Sequence, residues 1–179
     1  MLTRDEIAEA RNWAAAALDA ASIILRADEK ASLEVSDFGL SDLSRTGLQL
    51  HVYVNTDRVC AKEIVLTAGQ TCPEHRHVSV GSEPGKEETF RVRRGEVYLY
   101  TDGPPSLSPT ATPTRREHYT VWNEHILGPG DQYTIWPDTK HWFQGGPEGA
   151  IVTEFSTRST DEHDVFTDPD IRRITEIED

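Results

Sequence analysis

Cysteine, methionine and cations are all scarce in this sequence. Of 179 residues, two are cysteine and one is methionine. Cys60 and Cys72 form no CxxC pair, and two thiols alone encode neither a disulfide framework nor a multi-thiolate zinc site. Both are expected as free thiols. Lys and Arg number 18 against 31 Asp and Glu, a formal charge of −13. A surface of that sign repels phosphate, which argues against nucleic acids and anionic membranes as partners. Long hydrophobic runs are also missing. The most apolar stretch, Ala14 to Leu25, contains Asp19 and is too short to span a bilayer. Arg4, Asp5 and Glu6 do not fit a secretory signal, so a cytoplasmic protein is expected.

What is present fits a soluble globular chain, with 36% hydrophobic and 27% charged residues. The length suits a single domain, residues 1–179, with its own core. Thr3 followed by Glu6 has the form of a capping box, and the Ala-rich run after it predicts one helix to about Arg26. Ile7, Trp13, Ala14, Leu18, Ala21 and Leu25 make its apolar stripe. This helix, within a 1–30 extension, is expected to pack outside the main body. From Gly47 the period changes. Leu48, Leu50, Val52 and Val54 alternate with polar residues, as on a half-buried strand.

Further strands are expected at Glu63 to Thr67, Thr89 to Val92, Val97 to Thr101, His118 to Trp122, Gln132 to Trp136 and Ala150 to Ser156. A hairpin turn is read at Arg94-Gly95. Regular short strands punctuated by Gly and Pro predict an all-β sandwich or barrel over residues 47–156, followed by a polar tail, 157–179. Two loops interrupt it, Val78 to Lys86 and the Pro-rich Asp102 to Glu117. Each reads as a lid or as a solvated excursion.

His75 and His77 are two residues apart. On a strand that spacing points both imidazoles to one face, where a helix would splay them. Gly69, His75, His77, Glu88 and Gly95 resemble the first signature of the cupin family, with Val78 to Glu87 as an insertion. Gly130 to His141 (GDQYTIWPDTKH) resembles the second. There Pro137 is displaced by one position, and Thr139 or Asp138 stands where a Gly is usual. The resemblance implies a double-stranded β-helix, or jelly-roll, barrel and the ligand set His75, His77, Glu88 and His141. Glu87 is the rival of Glu88, and strand alternation lets only one of them share the histidines' face. Three imidazoles and a carboxylate suit a divalent transition ion such as Mn²⁺, Co²⁺, Fe²⁺, Ni²⁺ or Zn²⁺.

A narrower likeness covers Phe38 to Pro169. The segments GLQLHVYVNTDRVCAKEIVL, GQTCPEHRH, GKEETFRVRRGEVYLY, REHYTVW, TKHWFQ and STDEHDVFTDP are similar to the small single-domain D-lyxose ketol-isomerases. The resemblance implies interconversion of D-lyxose and D-xylulose, possession of a manganese-type ion and a homodimer; D-mannose to D-fructose is a related pair. With ligands for one ion only, the sequence favours proton transfer through a cis-enediol over a hydride shift. Glu154, a carboxylate inside the apolar strand AIVTEFS, is expected as the general base. Lys86 is expected to assist it. Lys62, Trp142 and, through the resemblance, Asp164 are expected at the sugar. Gln70 and Thr71 are read as groups orienting the histidines. An Fe(II) cupin dioxygenase and a non-catalytic sugar-binding cupin are the alternatives.

Overall fold

The computed structural model describes residues 1–178. In chain order it contains β1 (Leu2–Thr3), α1 (Arg4–Ala20), α2 (Ala27–Ala31), β2 (Glu34–Ser36), β3 (Leu48–Asn55), β4 (Cys60–Leu66), β5 (Thr71–Arg76) and β6 (Glu88–Thr101). These are followed by β7 (Asn123–Leu127), β8 (Gln132–Ile135), β9 (His141–Ser156), β10 (Val165–Phe166) and β11 (Ile177–Glu178). Turns of 3-10 helix lie at Arg116–His118 and Asp161–His163. No helix among the described residues is long and apolar enough to cross a membrane.

Two long strands organise the barrel. The second half of β9 pairs with β4 and with the first half of β6; its first half pairs with β5 and the second half of β6. Both strands therefore run through both halves of one nine-stranded sheet, which curls over one interior. The bend lies where Gly146 to Gly149 bulge out opposite Glu96, between the pairs Gly95–Ala150 and Val97–Gly145. The Arg94-Gly95 signal is thus real, but it marks a bulge in one continuous strand and not the expected hairpin. Gly95 has φ +70, and a Cβ there would sit 2.0 Å from the Gly149 carbonyl oxygen. Gly95→Ala is expected to cost upwards of about 1–3 kcal/mol, measured as a lower denaturant midpoint.

The core inside the barrel includes Leu48, Leu50, Ile64, Leu66, Phe90, Val92, Leu99, Phe143 and Val152. Helix α1 is capped as expected, with the Thr3 hydroxyl accepting from Glu6 N–H and the Glu6 carboxylate accepting from Thr3 N–H. It lays Ala14 and Leu18 on Val65 and Ile151 of the outer sheet face. It ends at Ala20, earlier than the expected Arg26, and Trp13 is 41% exposed beside its stripe.

The simple alternation expected along β3 fails because both faces are covered at one end. Gln49 and His51 are buried with Leu48 and Leu50, and Glu29 of α2 comes within 3.9 Å of His51 Nε2. Val52 and Val54, expected inside, are exposed, and a register shift lies between them. His118 to Trp122 is not a strand: Arg116–His118 is a 3-10 turn, and regular pairing starts at Asn123. Residues 157–178 do more than trail from the barrel. Val165 and Phe166 pair with Arg76 and His75, and Ile177–Glu178 runs parallel to Leu2–Thr3.

Candidate metal centre and active site

Strands β5 and β9 bring the three imidazoles together. His75 and His77 share one face at the end of β5, and His141 opens β9 directly opposite His75. All three are buried, and their ligand nitrogens lie within 4.8 Å of one another. The rings are held from behind. His75 Nδ1 is 2.7 Å from the Pro73 carbonyl, His141 Nδ1 is 2.9 Å from the Thr139 carbonyl, and His77 Nδ1 is 2.5 Å from Asp164 Oδ1. These contacts turn each Nε2 inward, as outer groups do around a bound ion. Gln70 and Thr71, expected in that role, serve elsewhere: Gln70 Nε2 donates to the Leu43 carbonyl and Thr71 Oγ1 accepts from Gln144.

Glu88, at the start of β6, completes the cluster, with Oε1 3.2 Å from His77 Nε2 and 3.1 Å from His141 Nε2. The contact with His141 is not aligned as a hydrogen bond, so its Nε2 is a buried nitrogen without a partner. Such an orphan is costly unless something fills the space. Burial, with the neighbouring His141 and His77, holds the His75 imidazole well below its ordinary pKa, the neutral form that a metal requires. Burial would raise the Glu88 carboxyl, but Lys86 and His77 outweigh it and hold it well below the carboxylate range. Burial and Lys86 press His77 downward, while Glu88 and Asp164 lift it to about 9. A neutral His75, an ionised Glu88 and the inward Nε2 atoms of His77 and His141 fit a divalent cation, which would displace the proton that Glu88 and Asp164 hold on His77.

Beside this cluster lies a ring of ion pairs. Lys86 Nζ is 2.8 Å from Glu88 Oε2, 3.2 Å from Glu154 Oε1 and 3.0 Å from Asp161 Oδ1. Lys62 Nζ donates to Ser159 Oγ at 2.9 Å and to Asp161 Oδ2 at 2.5 Å, and lies 3.8 Å from Glu154. Ser156 Oγ donates to Glu154 Oε1 at 2.9 Å. Burial works against the Lys86 ammonium, yet Asp161, Glu154 and Glu88 keep it protonated well above the ordinary lysine range. In the second group near the histidines, His77 with Asp161 and Asp164, the Asp161 carboxylate already meets Lys62, Lys86 and Arg173, and Asp164 is engaged by His77. Three cations crowd the place a second ion would need.

His75, His77, Glu88, Glu154, Lys86, Lys62 and Asp164 all line a cavity of about 40 Å³, walled by Phe38, Phe90, Phe143 and Phe166. Lys62, Asp161 and Arg173 are shared with a wider outer cleft of about 440 Å³. Glu63, next to Lys62, faces the other side of the sheet and accepts from Thr153. Trp142, expected at the sugar, does not reach the cavity. Alternation along β9 sends it to the opposite face from His141 and Phe143. It stacks on Tyr100 there, with centroids 4.0 Å apart, and donates to the Val121 carbonyl. Trp142→Ala is expected to cost about 3–5 kcal/mol in unfolding free energy and leave the KM of the surviving folded enzyme unchanged.

Asp161 and Arg173 were not foreseen as site residues. Asp161 lay in a charge run that reads as solvated, and Arg173 lay beyond the family likeness. No local signal marks either. Arg173 holds Glu34 at 2.5 Å and lies 3.6 Å from Asp161.

The barrel is a cupin of the kind found in L-ribose isomerases. The enzyme of Acinetobacter sp. DL28 with bound L-ribose superposes with a TM-score of 0.82 at 18% identity, over 99% of this chain and 98% of that one. That of Cellulomonas parahominis with L-ribose gives 0.80 at 19%, with the same coverage. No family model matches the chain. Among curated proteins, the D-lyxose/D-mannose isomerase of Thermosediminibacter oceani is 57% identical over 181 residues, covering 100% of both chains. The D-lyxose ketol-isomerases of Thermofilum sp. and Cohnella laeviribosi are 53% and 55% identical, covering 99% and 95% of this chain and 99% and 94% of theirs. The chain belongs to the D-lyxose ketol-isomerase family, a group of aldose–ketose isomerases.

Proposed function

We propose that this protein interconverts D-lyxose and D-xylulose, with D-mannose and D-fructose as a related pair, by proton transfer through a cis-enediol. The observation that carries the reading is the Lys86–Glu154 pair set beside three inward imidazoles. His75, His77, His141 and Glu88 would hold one divalent ion, with manganese favoured by the family resemblance. When bound, such an ion supplies Lewis-acid polarisation of a carbonyl and stabilises negative charge on adjacent oxygens.

The chain's own groups supply the rest. The Glu154 carboxylate takes the proton from C2 of the open-chain aldose, leaving the electron pair to form the C1–C2 double bond while O1 gains a proton from the Lys86 ammonium. Glu154 then returns its proton to C1 as O2 gives its own back to Lys86 and becomes the ketose carbonyl. Lys86, kept as an ammonium, donates to the sugar oxygen that carries developing charge and pairs with Glu154. Lys62 and Asp164 offer a donor and an acceptor to the remaining hydroxyls, with Asp161 between the two lysines. The outer cleft leads to these groups, since Lys62, Asp161 and Arg173 line both spaces. A lining of charged groups suits a polyol better than the apolar substrate of a dioxygenase. The working unit is expected to be a homodimer.

The metal-loaded protein, incubated with D-lyxose in heavy water, should form ketose carrying deuterium at C1. No turnover of any pentose or hexose aldose would sink the reading. Turnover with complete retention of the substrate hydrogen, under conditions where the product exchanges freely, would favour hydride shift over the proton route.

A further inference from the structure

The residue before His75 is used in the opposite direction. Glu74 side chain leaves β5 on the face away from the imidazoles, and the residue is 2% exposed. Its carboxylate accepts from Thr120 N–H at 2.6 Å, Thr120 Oγ1 at 2.8 Å, Val121 N–H at 3.0 Å and Thr167 Oγ1 at 2.6 Å. The Glu74 carbonyl also accepts from Thr167 N–H at 3.1 Å. The nearest cation, Lys140 Nζ, stands 4.0 Å away and donates to Thr120 Oγ1. A buried carboxylate is expensive unless such donors surround it. Here the donors come from two segments distant in sequence, the end of the Pro-rich loop and the stretch after β10.

The second of those segments is the one that backs the metal histidines. Phe166 pairs with His75 and its ring lies 5.4 Å from the imidazole. Asp164, three residues before Thr167, fixes His77 Nδ1. Anchoring Thr167 to residue 74 by side chain and backbone therefore sets where Asp164 and Phe166 stand against the two imidazoles.

We propose that Glu74 is a positioning residue for the metal centre, clamping the Asp164–Thr167 segment to β5 so that Asp164 holds His77 in register. The proposal rests on the metal-binding reading above. Its test is binding of Mn²⁺ alone to the metal-stripped full chain by titration calorimetry, with the apo melting temperature recorded beside it. Glu74→Ala should weaken Mn²⁺ binding about 10-fold or more, as losses of groups behind metal ligands do. Asp164→Asn should do the same, and the double variant should bind no more weakly than the weaker single variant, because both act through His77.

Glu74→Gln should recover most of the affinity, since its amide oxygen can accept from the two N–H groups and its NH₂ can donate to the hydroxyl oxygens. A folded Glu74→Ala protein with native Mn²⁺ affinity, however low its melting temperature, would overturn the proposal and leave Glu74 a stability residue. Strictly additive losses in the double variant would overturn it too. So would a Glu74→Gln protein as weak as Glu74→Ala, which would assign the effect to lost charge. If Glu74→Ala does not fold, Thr167→Val removes one leg of the clamp and should weaken Mn²⁺ in the same direction; native affinity there refutes the clamp. Failure of the unsubstituted chain to bind Mn²⁺ would instead strike the metal-centre reading itself.

Discussion

Glu154→Gln is expected to keep the fold and the metal while lowering turnover of D-lyxose about 10²–10⁴-fold, the usual contribution of a general base. The substitution is close to isosteric, so an amide oxygen can still accept from Ser156 Oγ, 2.9 Å away in the native chain. What disappears is the ability to take a proton. The two lysines that face Glu154 keep other partners: Lys86 retains the carboxylates of Glu88 and Asp161, and Lys62 retains that of Asp161 and a hydrogen bond to Ser159. Neither is left as an unpaired buried charge, which is the condition that makes loss of one partner strongly destabilising. The loss should therefore fall on kcat far more than on KM or on melting temperature. A metal-loaded Glu154→Gln protein with native kcat would move the base elsewhere, and Asp161 would be next to examine.

The second large effect is expected from His141→Ala. His141 is fully buried, and its inward Nε2 meets only Glu88 Oε1, 3.1 Å away and not aligned as a hydrogen bond, so ring and carboxylate face a common point as two ligands of one ion do. Removing a group that merely orients a metal ligand costs about 10–100-fold in affinity, and removing a ligand should cost more. Dialysed His141→Ala protein should retain no stoichiometric metal by elemental analysis, and D-lyxose turnover should fall below detection. Part of the change is structural, since the Thr139 carbonyl loses its imidazole partner and a fully buried ring is removed. The apo melting temperatures of both proteins separate that loss from the loss of metal. Native metal content after the substitution would remove His141 from the site.

The strand residues of the site were legible because alternation is a local rule. A spacing of two places His75 and His77 on one face, and the same rule puts Glu88 inside while its neighbour Glu87 is half-buried and clasps Thr157 through its backbone. It also carries Lys62 inward and Glu63 outward. Trp142 shows what the rule needs in addition. Alternation says that it opposes Phe143, but only the packing of Tyr100 and Tyr119 on the outer face shows that this side is a second apolar core. The Arg94-Gly95 reading failed for a similar reason. A glycine at positive φ looks the same in sequence whether the chain reverses or bulges past a partner strand. Asp161, Arg173 and the clamp at Glu74 were out of reach because their partners are remote. Lys62 meets Asp161 across 99 residues and Glu74 meets Thr167 across 93. A charge run that returns to a barrel interior has the same composition as one that stays in water.

The proposal that one ion, held by His75, His77, Glu88 and His141, supports the isomerase reaction is tested most directly by stripping the protein with a chelator and adding Mn²⁺ back in steps. D-Xylulose formation from D-lyxose is then followed against bound metal. The stripped protein should be inactive, and activity should rise in proportion to bound ion and level off at about one per chain. Turnover that survives complete removal of metal, or that appears only when a second ion binds, would contradict the account.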